Sequence, residues 1–252
     1  MELITPNWIV PDNIRAYSST RLGGISTGAY RGLNLGMHVA DDPLLVTKNR
    51  QFLHKHAAIP SKQIWLNQTH SSYVADFDAF STLDKNTALD DSTTDIVDAD
   101  GAMTSQSNVV CTVMTADCLP VLLTDTEGST VAAVHAGWRG LANGILENAV
   151  TQFTKPVIAW LGPAIGANAF EVGQDVYDVF VTHDPIASEA FRIKSDEKYL
   201  ADMNRLAKQR LNSVGVESIY SSNMCTFANS DKFYSYRRDG VTGRQATFIW
   251  IE

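Results

Sequence analysis

Two histidines and a cysteine in this chain each follow an apolar run. His70 comes after Gln63–Leu66 by way of Asn67-Gln68-Thr69. Cys118 sits in the polar break Ala116-Asp117-Cys118 behind Val109–Thr115, and His135 closes Thr130–Val134. A His2Cys set with no fourth protein ligand suits a catalytic zinc with an open position. Zinc there would bring the pKa of its bound water to about 7, giving hydroxide at neutral pH. Thiolate and imidazole also accept copper, so the metal is less defined than its ligands. The same residues support a metal-free alternative. Cys118 would be the nucleophile of a cysteine hydrolase, His135 its base, and Asp117 or a backbone carbonyl the orienter. The three residues are far apart in sequence and no compact C-x-x-C or H-E-x-x-H signature is present, so spacing alone does not choose. A buried structural cysteine and a core histidine are the plain alternative, but a thiol in a polar break favours chemistry.

The elements that would carry these groups are short. Val109–Thr115, Pro120–Asp125 and Thr130–Val134 read as buried strands, the last two joined by Thr126-Glu127-Gly128-Ser129 turn chemistry. Gly137 and Gly140 follow His135 and permit close approach of another group to the backbone. A helix is expected over 141–153, with Leu141, Ile145, Ala149 and Phe153 on one stripe. Upstream, Arg15–Ser19 reads as a strand, and Gly23-Gly24 with Gly28 mark a loop. Asn34 in GLNLG reads equally as a turn residue and as a ligand contact. Asp42-Pro43 starts a helix with Val46, Asn49, Phe52, Leu53 and His56 on or near one face. His54 and His56 diverge by about 200° on that helix and are read as structural or solvated. Ser72–Phe77 reads as a strand, and the Asp-, Ser- and Thr-rich residues 78–96 as a surface loop. Ala99–Thr104 leads back to the central strands. Beyond them come a strand at Val157–Leu161, helices at about 174–182 and 200–213, a short strand at Ile219–Ser221, a loop over 235–244 and a last strand, Gln245–Trp250.

Several polar groups could complete a pocket. Asp117 is a hydrogen-bond acceptor for the ligand set, a proton shuttle or a loop cap. Arg139, just before a helix, suits an anion such as phosphate, or a surface ion pair. Arg237, Arg238 and Arg244 cluster in SYRRDGVTGR and read as an anion site or as partners for the abundant acids. Gln68 precedes His70 by two residues and counts with Asn34, Arg139 and Arg237 as a candidate substrate contact. Trp138 is a core residue or a stacking surface, Cys111 is core, and Cys225 is undecided. His38 and His183 lie in loops without evident partners. No phosphate loop or dinucleotide fingerprint is present, which argues against ATP- or NAD-dependent chemistry. Only 6 histidines are available, and the single His-x-His falls on an expected helix, which disfavours a conventional multicopper oxidase.

Composition bounds the rest. The chain has 252 residues, 44% of them hydrophobic, and a formal charge of −8 from 20 Lys+Arg against 28 Asp+Glu. An acidic chain is a poor nucleic-acid coat, since phosphate binding needs a basic surface. Three dispersed cysteines argue for a reducing compartment rather than a disulfide framework. The N-terminus lacks signal-peptide character, and no apolar run of about 18 residues exists to span a membrane. The expectation is a soluble cytoplasmic protein, a monomer or weak homo-oligomer.

Six segments together carry a resemblance: GLNLGMHVADDP, NQTH, TADCLPVLLTD, VAAVHAGWRGL, WLGPAIG and FYSYRRDGVTGR. The chain resembles the YfiH family, also called laccase-domain or peptidoglycan editing factor proteins, from about Ser18 to Trp250. Gln68-Thr69-His70-Ser71 fits that family's Q-x-H-[GS] motif. The resemblance implies a single α/β domain over residues 1–252, a mixed β-sheet core with flanking helices, distantly similar to cysteine deamidase toxins. It also implies metal ligation by His70, Cys118 and His135, with zinc expected and copper the alternative. The implied activity is phosphorolysis of adenosine, inosine, guanosine and methylthioadenosine, with adenosine deamination. Polyphenol oxidation with copper and editing of peptidoglycan precursors are the implied alternatives. Purine nucleosides and phosphate are therefore the expected small-molecule partners.

Overall fold

The structure is a computed structural model that describes residues 1–60, 62–79 and 97–252. Most of the segment read as a surface loop, residues 80–96, lies outside the described residues. Two sheets dominate the described chain. One has the strand order Leu3–Ile4, Ile14–Ser19, Gln245–Ile251, Val109–Thr115, Lys62–Ile64. The other runs Ser218–Ser221, Val157–Leu161, Leu119–Asp125, Val131–Ala136, Gly101–Thr104, Val74–Asp76. Both mix parallel and antiparallel pairs. A small three-stranded sheet joins Glu171–Gly173, Lys198–Ala201 and Phe191–Ser195.

Alternation along the strands assigns each face. From Val109–Thr115, Cys111 and Val113 pack with Leu122, Ala133 and Trp160 of the other sheet. Val110 and Met114 point the opposite way, toward Leu33, Leu35 and Leu53. In the six-stranded sheet, Leu119, Val121, Leu123, Ala132 and Val134 turn away from the first sheet. They pack against Leu141, Ile145, Leu146, Leu206 and Leu211 of the helices. The order is therefore helix, sheet, sheet, helices. Strands buried on both faces need apolar residues at every position rather than at alternate ones. Every residue of Val109–Thr115, Leu119–Asp125 and Val131–Ala136 is buried.

The helix starting at Pro43 runs to His56, and the Asp42 side chain caps it by accepting from Leu44 N at 2.9 Å. Val46, Asn49 and Leu53 are its buried residues, whereas Phe52 faces solvent. Two expected helices are divided differently. The segment expected as one helix over 141–153 forms Trp138–Ala142 and Ile145–Val150, separated at Gly144, whose φ of 85° ends the first turn as glycine does at a helix C-terminus. The stripe remains, because Leu141, Ile145 and Ala149 are all fully buried. The segment 200–213 begins as strand Lys198–Ala201, and Asp202 then caps the helix Met203–Ser213 through Arg205 N at 3.0 Å. The expected loop over 235–244 contains a short helix, Tyr236–Asp239, capped by Ser235. No described helix is long and apolar enough to cross a membrane.

Candidate metal centre

The break Ala116-Asp117-Cys118 is where the chain leaves one large sheet and enters the other. Asp117 takes a φ of 95°, a left-handed conformation that costs a non-glycine residue about 1–3 kcal/mol. Its carboxylate is held by three donors that offset this strain. Thr226 Oγ1 donates to Oδ1 at 2.6 Å, while Ser235 Oγ and Arg237 N donate to Oδ2 at 3.0 and 2.7 Å. Its carbonyl accepts from Ile165 N at 2.9 Å. The turn that aims Cys118 is thus tied to three other segments.

His70 also has a left-handed φ, 61°. The backbone around it is gathered by Asp100, a fully buried carboxylate. Asp100 Oδ2 accepts from Thr69 N at 3.1 Å, Ser71 N at 2.6 Å and Ser71 Oγ at 2.8 Å. Oδ1 accepts from His70 N at 3.0 Å and faces His135 Nδ1 at 2.8 Å. His135 itself lies inside Val131–Ala136, and its N–H donates to the Asp100 carbonyl at 2.6 Å.

These supports bring His70, Cys118 and His135 together, with their ligand atoms all within 4.8 Å of one another. His70 Nε2 is 3.9 Å from Cys118 Sγ, and the two imidazole rings meet edge to face with centroids 4.9 Å apart. His135 is buried, Cys118 half-buried and His70 exposed, so the cluster opens to solvent on one side. Gly137 lies against all three. A Cβ there would sit 2.9 Å from His70 Cδ2, 3.2 Å from Cys118 Sγ and 3.5 Å from His135 Cε1. The missing side chain leaves the ligand atoms room, and two imidazoles with a thiolate are a donor set that zinc accepts. The residues fit a metal ion.

Electrostatics prepare the same group. Burial pushes the Cys118 thiol up, but the charge of His135 and hydrogen bonds from both histidines outweigh it and pull the pKa down. Burial pulls His135 down, yet the Cys118 thiolate and Asp100 raise it. Each group thus favours the charged form of the other, the thiolate of Cys118 and the imidazolium of His135. Asp100, despite burial, is held far below the usual carboxylate range by His135 and Ser71.

The remaining sequence candidates fall at different places. Asn34 is fully buried and its amide is committed internally, accepting from Gly36 N and Arg244 N and donating to Asp41. Gln68 is paired at both ends with the backbone of Met114. Arg139 is exposed, with its guanidinium 4.4 Å from the Trp138 ring centroid. Arg237 donates to the Glu171 carbonyl at 2.8 Å. Cys111 is core, and Cys225 Sγ accepts from Gly166 N at 3.2 Å, beside the Thr226 that holds Asp117. His54 Nε2 meets the Pro60 carbonyl at 3.1 Å.

Three further residues gather here, of which the sequence pointed only to Arg244, as part of a possible anion cluster. Asp100 lies in an Asp-Gly pair that looks like an ordinary turn. Arg244 passes beside Gly36, where a Cβ would meet Arg244 Cγ at 2.9 Å and His38 Cε1 at 3.5 Å. The Arg244 guanidinium lies within electrostatic reach of Cys118 and Asp117, and His38 within reach of His135. Among the described residues no carboxylate pairs with Arg244. It donates instead to the Thr242 and Gly243 carbonyls, each at 3.0 Å.

Residues 15–252 match the family described as multi-copper polyphenol oxidoreductase laccase. The chain belongs to this family. It is 47% identical to a Shigella flexneri protein named purine nucleoside phosphorylase YfiH, with 99% of each chain covered. A Haemophilus influenzae purine nucleoside phosphorylase is 47% identical over the full length of both chains. Among solved structures, a Neisseria meningitidis protein covers all of both chains with a TM-score of 0.91 and 43% identity. YlmD from Geobacillus stearothermophilus covers 96% of this chain and 93% of its own, with a TM-score of 0.88 and 30% identity.

Proposed function

We propose that this chain is a zinc-dependent purine nucleoside phosphorylase that also deaminates adenosine. The carrying observation is the His70–Cys118–His135 cluster, open on one side and kept clear by Gly137. The names of the full-length relatives support the nucleoside class. Neither reaction changes oxidation state, which favours zinc over copper. Zinc, when bound, supplies a Lewis acid and a source of hydroxide at neutral pH.

The chain's own groups take the remaining roles. Arg244 offers a cationic group beside the ligands and is assigned to phosphate, ahead of Arg139, which faces the Trp138 ring, and Arg237, whose guanidinium donates to the Glu171 carbonyl. A half-buried arginine lacking a carboxylate partner is suited to an anionic ligand. Asp117 is assigned to hold the strained turn, since three donors occupy its carboxylate. Asn34 and Gln68 are assigned to holding the backbone around Gly36, Arg244 and Met114. Residues 1–252 are taken as one domain, because Gln245–Ile251 is inserted between Ile14–Ser19 and Val109–Thr115.

The test is turnover of adenosine and inosine by metal-analysed protein. Cys118→Ala and His135→Ala are expected to lose both nucleobase release and deamination. Full turnover by either variant would refute the proposal. A second reading is favoured by one observation: Asp100, His135 and Cys118 are ordered as orienter, base and nucleophile of a cysteine hydrolase. Amide or ester hydrolysis by metal-free protein, abolished by alkylating Cys118, would replace the zinc reading with this one.

A further inference from the structure

We propose that Asp100 is the positioning residue of the ligand set, one carboxylate that fixes both the ring of His135 and the turn carrying His70. This rests on the reading of His70, Cys118 and His135 as metal ligands. An ionised carboxylate only accepts hydrogen bonds. Its contact with His135 Nδ1 therefore requires a proton on Nδ1, which leaves the Nε2 lone pair for the metal. The same carboxylate accepts three consecutive backbone N–H groups, those of Thr69, His70 and Ser71. That convergence holds His70 at its φ of 61°, a conformation that a non-glycine residue leaves unless it is held. The Asp100 backbone completes the junction by accepting from His135 N and donating to the Tyr73 carbonyl at 3.0 Å. Two ligands from distant parts of the chain thus share one anchor.

Asparagine at position 100 has nearly the same shape but replaces one acceptor oxygen with a donor. With its NH2 in the Oδ1 place, it opposes His70 N–H and drives His135 to carry its proton on Nε2, blocking that ligand. With its NH2 in the Oδ2 place, it opposes the Thr69 and Ser71 N–H groups, and the His70 turn is released. Either orientation misplaces a ligand. Outer partners of metal-bound histidines typically govern affinity by 10–100-fold.

The experiment measures zinc affinity of the full chain, stripped of metal, by competition with a chelator. Asp100→Asn is expected to bind zinc about 10–100-fold more weakly than wild type. Asp125→Asn is the control for a merely structural carboxylate. Asp125 accepts from Glu127 N at 3.0 Å, Ser129 N at 2.9 Å and Ser129 Oγ at 2.6 Å, in a turn that contributes no ligand. It is expected to lower Tm while leaving zinc affinity unchanged. In zinc-loaded wild type, nitrogen-15 NMR is expected to find the His135 proton on Nδ1. Wild-type affinity in Asp100→Asn, or an equal loss in Asp125→Asn, would overturn the proposal. Absence of zinc binding by the wild-type chain would instead overturn the ligand reading beneath it.

Discussion

Gly137→Ala isolates the site from the fold. Gly137 has φ −62° and ψ 157°, an extended conformation open to any residue, so alanine brings no backbone strain. Where the native angles suit it, a Gly→Ala change stabilises by about 0.4–1 kcal/mol through the unfolded chain. The new methyl would lie 2.9 Å from His70 Cδ2 and 3.2 Å from Cys118 Sγ. Real Cβ contacts do not come as close as the first of these, so His70 must yield. It is the exposed ligand, and its ring can swing outward more readily than buried His135 can move. Misplacing a positioned group by about 1 Å costs on the order of 100-fold, or about 2.7 kcal/mol. The expected outcome is zinc affinity lower by about that factor with Tm of the metal-free protein unchanged or slightly raised. Chelator competition and thermal melting measure the two quantities on the same sample. Zinc bound as tightly as in wild type would refute the claim that Gly137 clears the ligand space. A large fall in metal-free Tm would show that position 137 serves the fold instead.

Further outcomes follow from the same geometry. Asp117→Asn sets an amide donor against Thr226 or against Ser235 and the Arg237 N–H, and a lower Tm by about 1–3 kcal/mol of stability is expected from denaturant melts. In metal-free protein the Cys118 pKa is lowered to about 6, so its thiolate predominates at neutral pH. Its alkylation rate is expected to rise through about pH 6 and level off above it, whereas an ordinary thiol titrates near 8.5. Bound zinc is expected to suppress that reaction. Arg244→Gln is expected to raise KM for phosphate about tenfold or more in nucleoside phosphorolysis, matching the loss of a charge-assisted contact. An unchanged phosphate KM would remove Arg244 from the anion site.

His70, Cys118 and His135 stood out in the sequence because each follows an apolar run, while their reading as a metal set came from the family resemblance and was left open by spacing. The layered fold was legible in the unbroken apolar strands Val109–Thr115 and Val157–Leu161, which signal burial on both faces. Asp100 was not legible. Its importance arises from Thr69, His70, Ser71 and His135 converging on it from two distant segments, and Asp-Gly alone reads as a turn. Arg244 was read as part of an anion cluster, but its place beside Gly36 and His38 was not legible, since it depends on the terminal strand returning beside residues 33–36. The break at Gly144 escaped because the stripe Leu141, Ile145 and Ala149 continues across it. Burial preserved the pattern while the backbone changed course.

The most direct test of the central claim is product analysis of adenosine incubated with wild-type protein of measured zinc content, with and without phosphate. Adenine and ribose 1-phosphate appearing only with phosphate, together with inosine under both conditions, is the predicted result. Neither adenine nor inosine from protein carrying one zinc per chain would contradict the account.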